Sequence, residues 1–214
     1  MKLNKLASVC KKNKRAYILE ESCKRDDGTG YVTQYISTGT ACYPIFNMPR
    51  LEKRSLLTLF DIPEKDWESW VVDVREIPEG LNLKDCDADE FQIQWFFSPI
   101  EYDGEKLRCL GTRDSGILFL KESLLSPIET DNPLEYFERT NKCGDPYIAI
   151  KDGIMLQGVI MPYDLYQKED QGKRFAEEVR EFANRCGREV YNRQERERAK
   201  AAAEAEDDQC SMST

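Results

Sequence analysis

YIAIKDGIMLQGVIMP, residues 147–162, is the stretch whose reading decides the fold. Two apolar runs, 147–151 and 154–162, flank Asp152-Gly153, a dipeptide suited to the positive-φ conformation of a tight hairpin. It predicts an antiparallel strand pair, and the same pattern recurs through the chain.

YVTQYIS (31–37) and ACYPIF (41–46) form a second expected hairpin around Thr38-Gly39. KLRCLGT (106–112) returns as ILFLK (117–121) after Ser115-Gly116. In FQIQWFFSPIEY (91–102), Phe91, Ile93, Trp95 and Phe97 are spaced by two, with polar Gln92 and Gln94 between the first three, which predicts one strand with a buried face. AYILE (16–20) and WVVDV (70–74) read as strands, whereas 21–30 and 77–90 read as polar loops.

Helical spacing appears between these strands. Leu3, Leu6, Ala7 and Cys10 define an amphipathic helix over 3–12. PRLEKRSLLTLF (49–60) suits a second helix, with Pro49 near its start, and Pro63 opens a turn that holds Trp67. Short helical stretches are expected around 123–125 and 133–139. Phe175, Val179, Phe182, Cys186 and Val190 make one apolar stripe on a long C-terminal helix. Beyond Tyr191 the charged tail keeps helix propensity but has nothing to bury.

The expected class is therefore α+β: antiparallel, hairpin-rich sheets with interspersed helices and a long C-terminal helix. The expected organisation is a domain over 1–166, a helix over 167–191 packed on it, and a charged helical or disordered tail over 192–214. Within the domain, hairpin-then-helix occurs at 31–60 and again at 106–126. That echo raises a division into pseudo-repeated halves, 1–90 and 91–166.

The chain has no histidine in 214 residues. Histidine is the usual acid/base near neutral pH and the commonest metal ligand, so Ser-His-Asp hydrolases, Cys-His proteases and HExxH metalloenzymes are excluded. The eight cysteines include no CxxC pair, so neither a zinc site nor a disulfide framework is expected. They read as free thiols used as small hydrophobes. No apolar run is long enough to span a membrane, and no signal peptide is evident, so a cytoplasmic protein without membrane contact is expected.

Motif-like segments assemble no chemistry. TRDSG (112–116) has the letters of a serine nucleophile segment but lacks a base, and a hairpin turn accounts for it. Gly111 and Gly116 mimic the ends of a phosphate loop without its lysine and hydroxyl. DCDADE (85–90) resembles the start of a calcium loop, but Glu90 stands where glycine is needed and Phe96 where the bidentate glutamate belongs. Trp95, Phe96 and Phe97 have the composition of a base-stacking platform, but their alternation suits a core strand. No catalytic residue, metal ligand or cofactor is expected.

Charge supplies the remaining signal. The net charge is −9, yet residues 1–15 carry Lys2, Lys5, Lys11, Lys12, Lys14 and Arg15 and no acid. These six are the candidate contacts for phosphate or for a partner. The acidic remainder suits a different mode, mimicry of a nucleic-acid backbone.

YISTGTACYP (35–44) resembles the strand, glycine turn and strand ending found in halves of the DNA sliding-clamp fold. YIAIKDGIMLQGVIMP is similar to the terminal hairpin of small uncharacterised proteins of phages and integrative elements of Gram-positive bacteria. The resemblance implies a non-enzymatic scaffold of pseudo-repeated halves with a role near DNA replication or element maintenance, and it carries over no functional residue. The leading expectation is a non-enzymatic binding protein acting through an unknown protein partner, near DNA. An acidic inhibitor that mimics nucleic acid is the second reading, and a carboxylate- and magnesium-dependent enzyme the third.

Overall fold

The computed structural model describes residues 1–24, 27–94, 96–114, 116–128, 132–165 and 172–181. Its elements run α1 (Leu3–Asn13), β1 (Arg15–Lys24), β2 (Gly30–Ser37), β3 (Ala41–Pro44), α2 (Lys53–Leu59), β4 (Val71–Glu76), β5 (Phe91–Gln92), β6 (Phe96–Tyr102), β7 (Glu105–Gly111), β8 (Ile117–Lys121), β9 (Glu135–Thr140), β10 (Pro146–Asp152) and β11 (Met155–Ile160). Single 3₁₀ segments cover Glu64–Ser69 and Glu122–Leu125. Residues Met1–Tyr163 form one compact unit; a second, Asp164–Thr214, is described as helical over 172–181.

The deciding hairpin forms as its sequence predicts. β10 and β11 pair antiparallel around Gly153, whose φ is +58°. The register shifts between Ile150 and Lys151, so that Ile150 faces Gly158 and Lys151 faces Leu156. β2 and β3 likewise pair around Thr38-Gly39, and β7 with β8. The fold is α+β with antiparallel sheets, except that β4 runs parallel to β1.

Eight strands form one sheet in the order β4-β1-β2-β3-β11-β10-β9-β5, and β6-β7-β8 form a second. The large sheet takes four neighbouring strands from residues before 90 and four from residues after it. They meet at a short seam, where Cys42 pairs with Val159 and Ala41 with Ile160. Both sets belong to the one compact unit.

Alternation along these strands buries both faces. Ala16, Ile18, Ile36, Tyr43, Ile148 and Ile150 enter the main core, joined by Leu6 and Cys10 of α1, Leu56 and Leu57 of α2, and Leu110 and Leu120 of the small sheet. The opposite face carries Leu19, Tyr35, Cys42, Tyr147, Ala149 and Val159, covered in part by Leu83 from the 77–90 loop. A strand apolar on both faces needs cover on both.

Several expectations need correction. Residues 133–139 are not helical: β9 pairs along its whole length with β10. Phe91 to Tyr102 is not one strand, because β5 pairs with β9 in the large sheet and β6 with β7 in the small one. The first strand continues through Lys24, paired with β2, where a loop was expected from residue 21. The second helix begins only at Lys53. Gln34 explains the delay: its side chain accepts from Leu51 N–H at 2.6 Å and donates to the Leu51 carbonyl at 3.0 Å, holding residues before 53 extended. The short helical stretch expected around 123–125 is present, as a 3₁₀ segment over Glu122–Leu125. On the C-terminal stripe, Phe175 and Val179 lie in the helix over 172–181, while Phe182, Cys186, Val190, Trp95 and the 192–214 tail lie outside the described residues. Among the described residues no helix is long and apolar enough to cross a membrane.

Candidate docking cleft at the sheet seam

The 77–90 loop covers the second face of the large sheet incompletely, leaving a cleft of about 470 Å³ beside the seam. Leu19 of β1, Cys42 of β3 and Val159 of β11, all buried, line its apolar base. Tyr17, Thr40, Met161, Pro78 and Leu81 form the walls, and Arg15 and Arg75 stand at the rim. Strand periodicity explains the base: Tyr17 and Leu19 are two residues apart and share a face, opposite Ala16 and Ile18.

The rim is partly ordered by its own contacts. The Arg75 guanidinium lies 4.4 Å from the centre of the Tyr17 ring and 2.6 Å from the Asp73 carboxylate. Such a stacked cation fixes the ring that forms the wall. Glu79, also at the rim, is paired with Lys142. Arg15 is exposed at the mouth. The Met161 N–H donates to the Thr40 carbonyl at 2.8 Å, tying the end of β11 to the β2–β3 turn.

The loop wall is anchored by buried charge. Arg139 of β9, wholly buried, donates to Glu90 at 2.7 and 3.0 Å and to the carbonyls of Asn82, Lys84 and Asp85 at 3.0, 2.9 and 3.2 Å. All five guanidinium donors are thereby used. Lys151 of β10 also reaches Glu90. Asp85 accepts from the Leu156 N–H at 2.8 Å, and Asp87 from the Asn82 amide at 2.8 Å. The acidic stretch read as a candidate ion loop therefore spends these carboxylates on the fold. Among the described residues no group of three His, Cys, Asp or Glu could hold a metal ion.

Thiol chemistry is suppressed where the cysteines are buried. Burial pushes the Cys42 thiol far above its ordinary range, Cys10 up to about 12 and Cys109 up to about 11. A thiol kept neutral is a poor nucleophile, so Cys42 contributes surface rather than reactivity to the cleft. Cys86 and Cys143 are exposed, which departs from the expectation of buried thiols. At the two ends of TRDSG, the Thr112 N–H donates to the Gly116 carbonyl at 3.1 Å.

The six basic candidates run along α1 and into β1. Lys2 caps the start of α1, and Lys5 lies in its first turn. Lys11 and Lys12 occupy the last turn, Lys14 is the C-cap with φ +47°, and Arg15 begins β1. Six residues at about 1.5 Å each put Lys11 roughly 9 Å along the helix axis from Lys5. All six side chains are on exposed residues, because α1 buries only Leu6, Ala7 and Cys10. Cations in the last turn also complement the helix dipole. Arg15 joins the basic end of α1 to the cleft, and Lys12, Arg15 and Thr40 line an adjoining hollow of about 300 Å³.

Only Arg15 of the cleft was among the sequence candidates. Tyr17, Arg75 and Met161 carry no motif. Their one signal is that AYILE is apolar at consecutive positions, which asks for cover on both faces of β1. Comparison of the chain with protein-family models, curated proteins and solved structures gives no match.

Proposed function

We propose that this chain is a non-enzymatic binding protein that docks an extended segment of a protein partner in the seam cleft. The observation that carries the reading is the cleft's composition: an apolar base of Leu19, Cys42 and Val159 under a rim holding Arg15 and Arg75. Such a lining accepts an apolar anchor side chain and orients it through a neighbouring carboxylate. The neutral Cys42 thiol and the absence of histidine support binding over catalysis.

DNA has one place to approach in the same reading, the end of α1 where Lys11, Lys12, Lys14 and Arg15 are exposed together. Origin in a phage or integrative element belongs to the same proposal and rests on the likeness of residues 147–162. The mimicry reading is weaker. It needs a contiguous ridge of free carboxylates, whereas Glu20, Glu90, Glu105 and Glu122 are each matched by cations.

Capture of partners from the native host, washed at low and high salt, tests the proposal. A protein held in an apolar cleft survives high salt and is lost with Thr40→Trp, which fills the cleft from an exposed wall position. DNA held by the lysines falls away steeply with salt. Capture of no protein that responds to Thr40→Trp contradicts the reading.

A further inference from the structure

β4 is the terminal strand of the large sheet, and among the described residues no strand pairs with its outer edge. The edge is readable residue by residue. β4 runs parallel to β1 in unbroken register from Val71 opposite Arg15 to Glu76 opposite Glu20, and the Val71 N–H donates to the Lys14 carbonyl at 3.0 Å. In a parallel ladder, alternate residues turn both main-chain groups toward the same neighbour. Val71, Asp73 and Arg75 therefore face β1, while Val72, Val74 and Glu76 present their N–H and C=O groups outward.

Sheets commonly blunt such an edge with proline, a bulge or charged side chains, and β4 has the last of these in Asp73, Arg75 and Glu76. VVDVRE contains no proline and its register has no bulge. Val74 is an aliphatic residue left 49% exposed, and the residues on either side of it are opposite in charge.

We infer that β4 is a self-association edge, which a second copy of this chain extends by antiparallel pairing about a two-fold axis at Val74. Charge selects that register. An axis at Asp73 sets Asp73 against its own copy, and an axis at Arg75 sets Arg75 against Arg75; like charges directly opposite are destabilising. An axis at Val74 sets Asp73 opposite Arg75 twice, at the non-hydrogen-bonded positions where side chains come closest. The same register joins Val72 to Glu76 and Val74 to Val74 through the outward main-chain groups. It also covers each exposed Val74 with its counterpart. Arg75 lies over Tyr17 and against Asp73 of its own strand, and in the pairing it turns to Asp73 of the second copy.

Sedimentation velocity on the full chain, from low micromolar concentration to the solubility limit, tests the inference. The expected result is a monomer–dimer equilibrium that Val74→Pro abolishes, because that substitution removes an outward N–H and leaves the β1–β4 ladder intact. Asp73→Arg and Arg75→Asp should each weaken the dimer by about tenfold or more, and the two combined should restore it. A chain that stays monomeric up to the solubility limit overturns the inference. So does a dimer indifferent to Val74→Pro and to both charge reversals, and so does a β4 edge that pairs with a different protein instead.

Discussion

Arg139 Nη2 lies 2.7 Å from the Glu90 carboxylate, and the arginine side chain is fully buried. This contact, with the three carbonyls that Arg139 also holds, fixes the loop forming one wall of the cleft. Replacing Arg139 with Met leaves the carbonyls of Asn82, Lys84 and Asp85 without their donor and Glu90 with Lys151 alone. Removing one partner of a buried ion pair costs about 3–5 kcal/mol. Chemical denaturation should show a loss of that size, and partner binding at the cleft should weaken with it.

Gly158 is required by a close approach. A Cβ placed there would meet Tyr43 Cδ1 at 3.1 Å and the Cys42 carbonyl at 3.3 Å. Tyr43 has little room to yield, since it is wholly buried and its hydroxyl donates to the Leu124 carbonyl at 2.6 Å. Gly158→Ala should therefore destabilise by about 1–3 kcal/mol, as overpacked cores do. Thermal melting checks it, and Gly158→Val should lower the midpoint further.

Gln34 is a buried amide that satisfies both main-chain groups of Leu51 and donates to Glu20 at 2.8 Å. Gln34→Leu should cost about 1–3 kcal/mol, the usual penalty for stranding a buried polar group. Amide exchange should rise first at Leu51, before it rises in α2.

Stability should fall at both ends of the pH scale. A hydrogen bond from the Asp89 N–H, then one from the Asn82 amide, holds the Asp87 carboxyl below its ordinary range; Lys106 and Arg108 do the same for Glu122. A folded-state pKa below the unfolded one stabilises the fold above the unfolded value, about 4, and that contribution is lost as pH drops through the folded value. Denaturation midpoints should thus decline below about pH 4, less steeply in Asp87→Asn. Cys10 has the opposite sign. Its thiol is raised to about 12 by burial, so its contribution is complete below the unfolded value, near 8.5, and is lost as pH rises toward 12. Cys10→Ala should flatten the alkaline decline, measured by the same midpoints.

Hairpins were the legible part of this fold, because Asp152-Gly153 and Thr38-Gly39 advertise their turns locally. β9 was hidden for a physical reason. In EYFERT, Tyr136 enters the main core while Phe137 and Arg139 face the other way, so polar and apolar residues do not alternate. A buried arginine is indistinguishable in sequence from a solvated one, since its four acceptors come from the distant stretch 82–90. The break between β5 and β6 was equally silent. Alternation runs from Phe91 to Trp95, but which sheet each end joins depends on Phe137 and Leu110, far along the chain.

The basic residues were legible as a composition and not as a site. Lys2 and Lys5 stand at the start of α1, Lys11, Lys12 and Lys14 at its end, and Arg15 opens β1. The cleft was not legible. It arises where β3 and β11 meet, and the residues that build it lie more than a hundred positions apart in the chain, from Tyr17 to Val159.

Selection of random extended peptides on the immobilised full chain tests the cleft most directly. Sequences with one apolar anchor beside an acidic residue should be enriched, and their binding should be lost with Thr40→Trp and weakened with Arg15→Gln. Absence of enrichment, or enriched peptides that bind Thr40→Trp as well as the unaltered chain, would contradict the docking proposal.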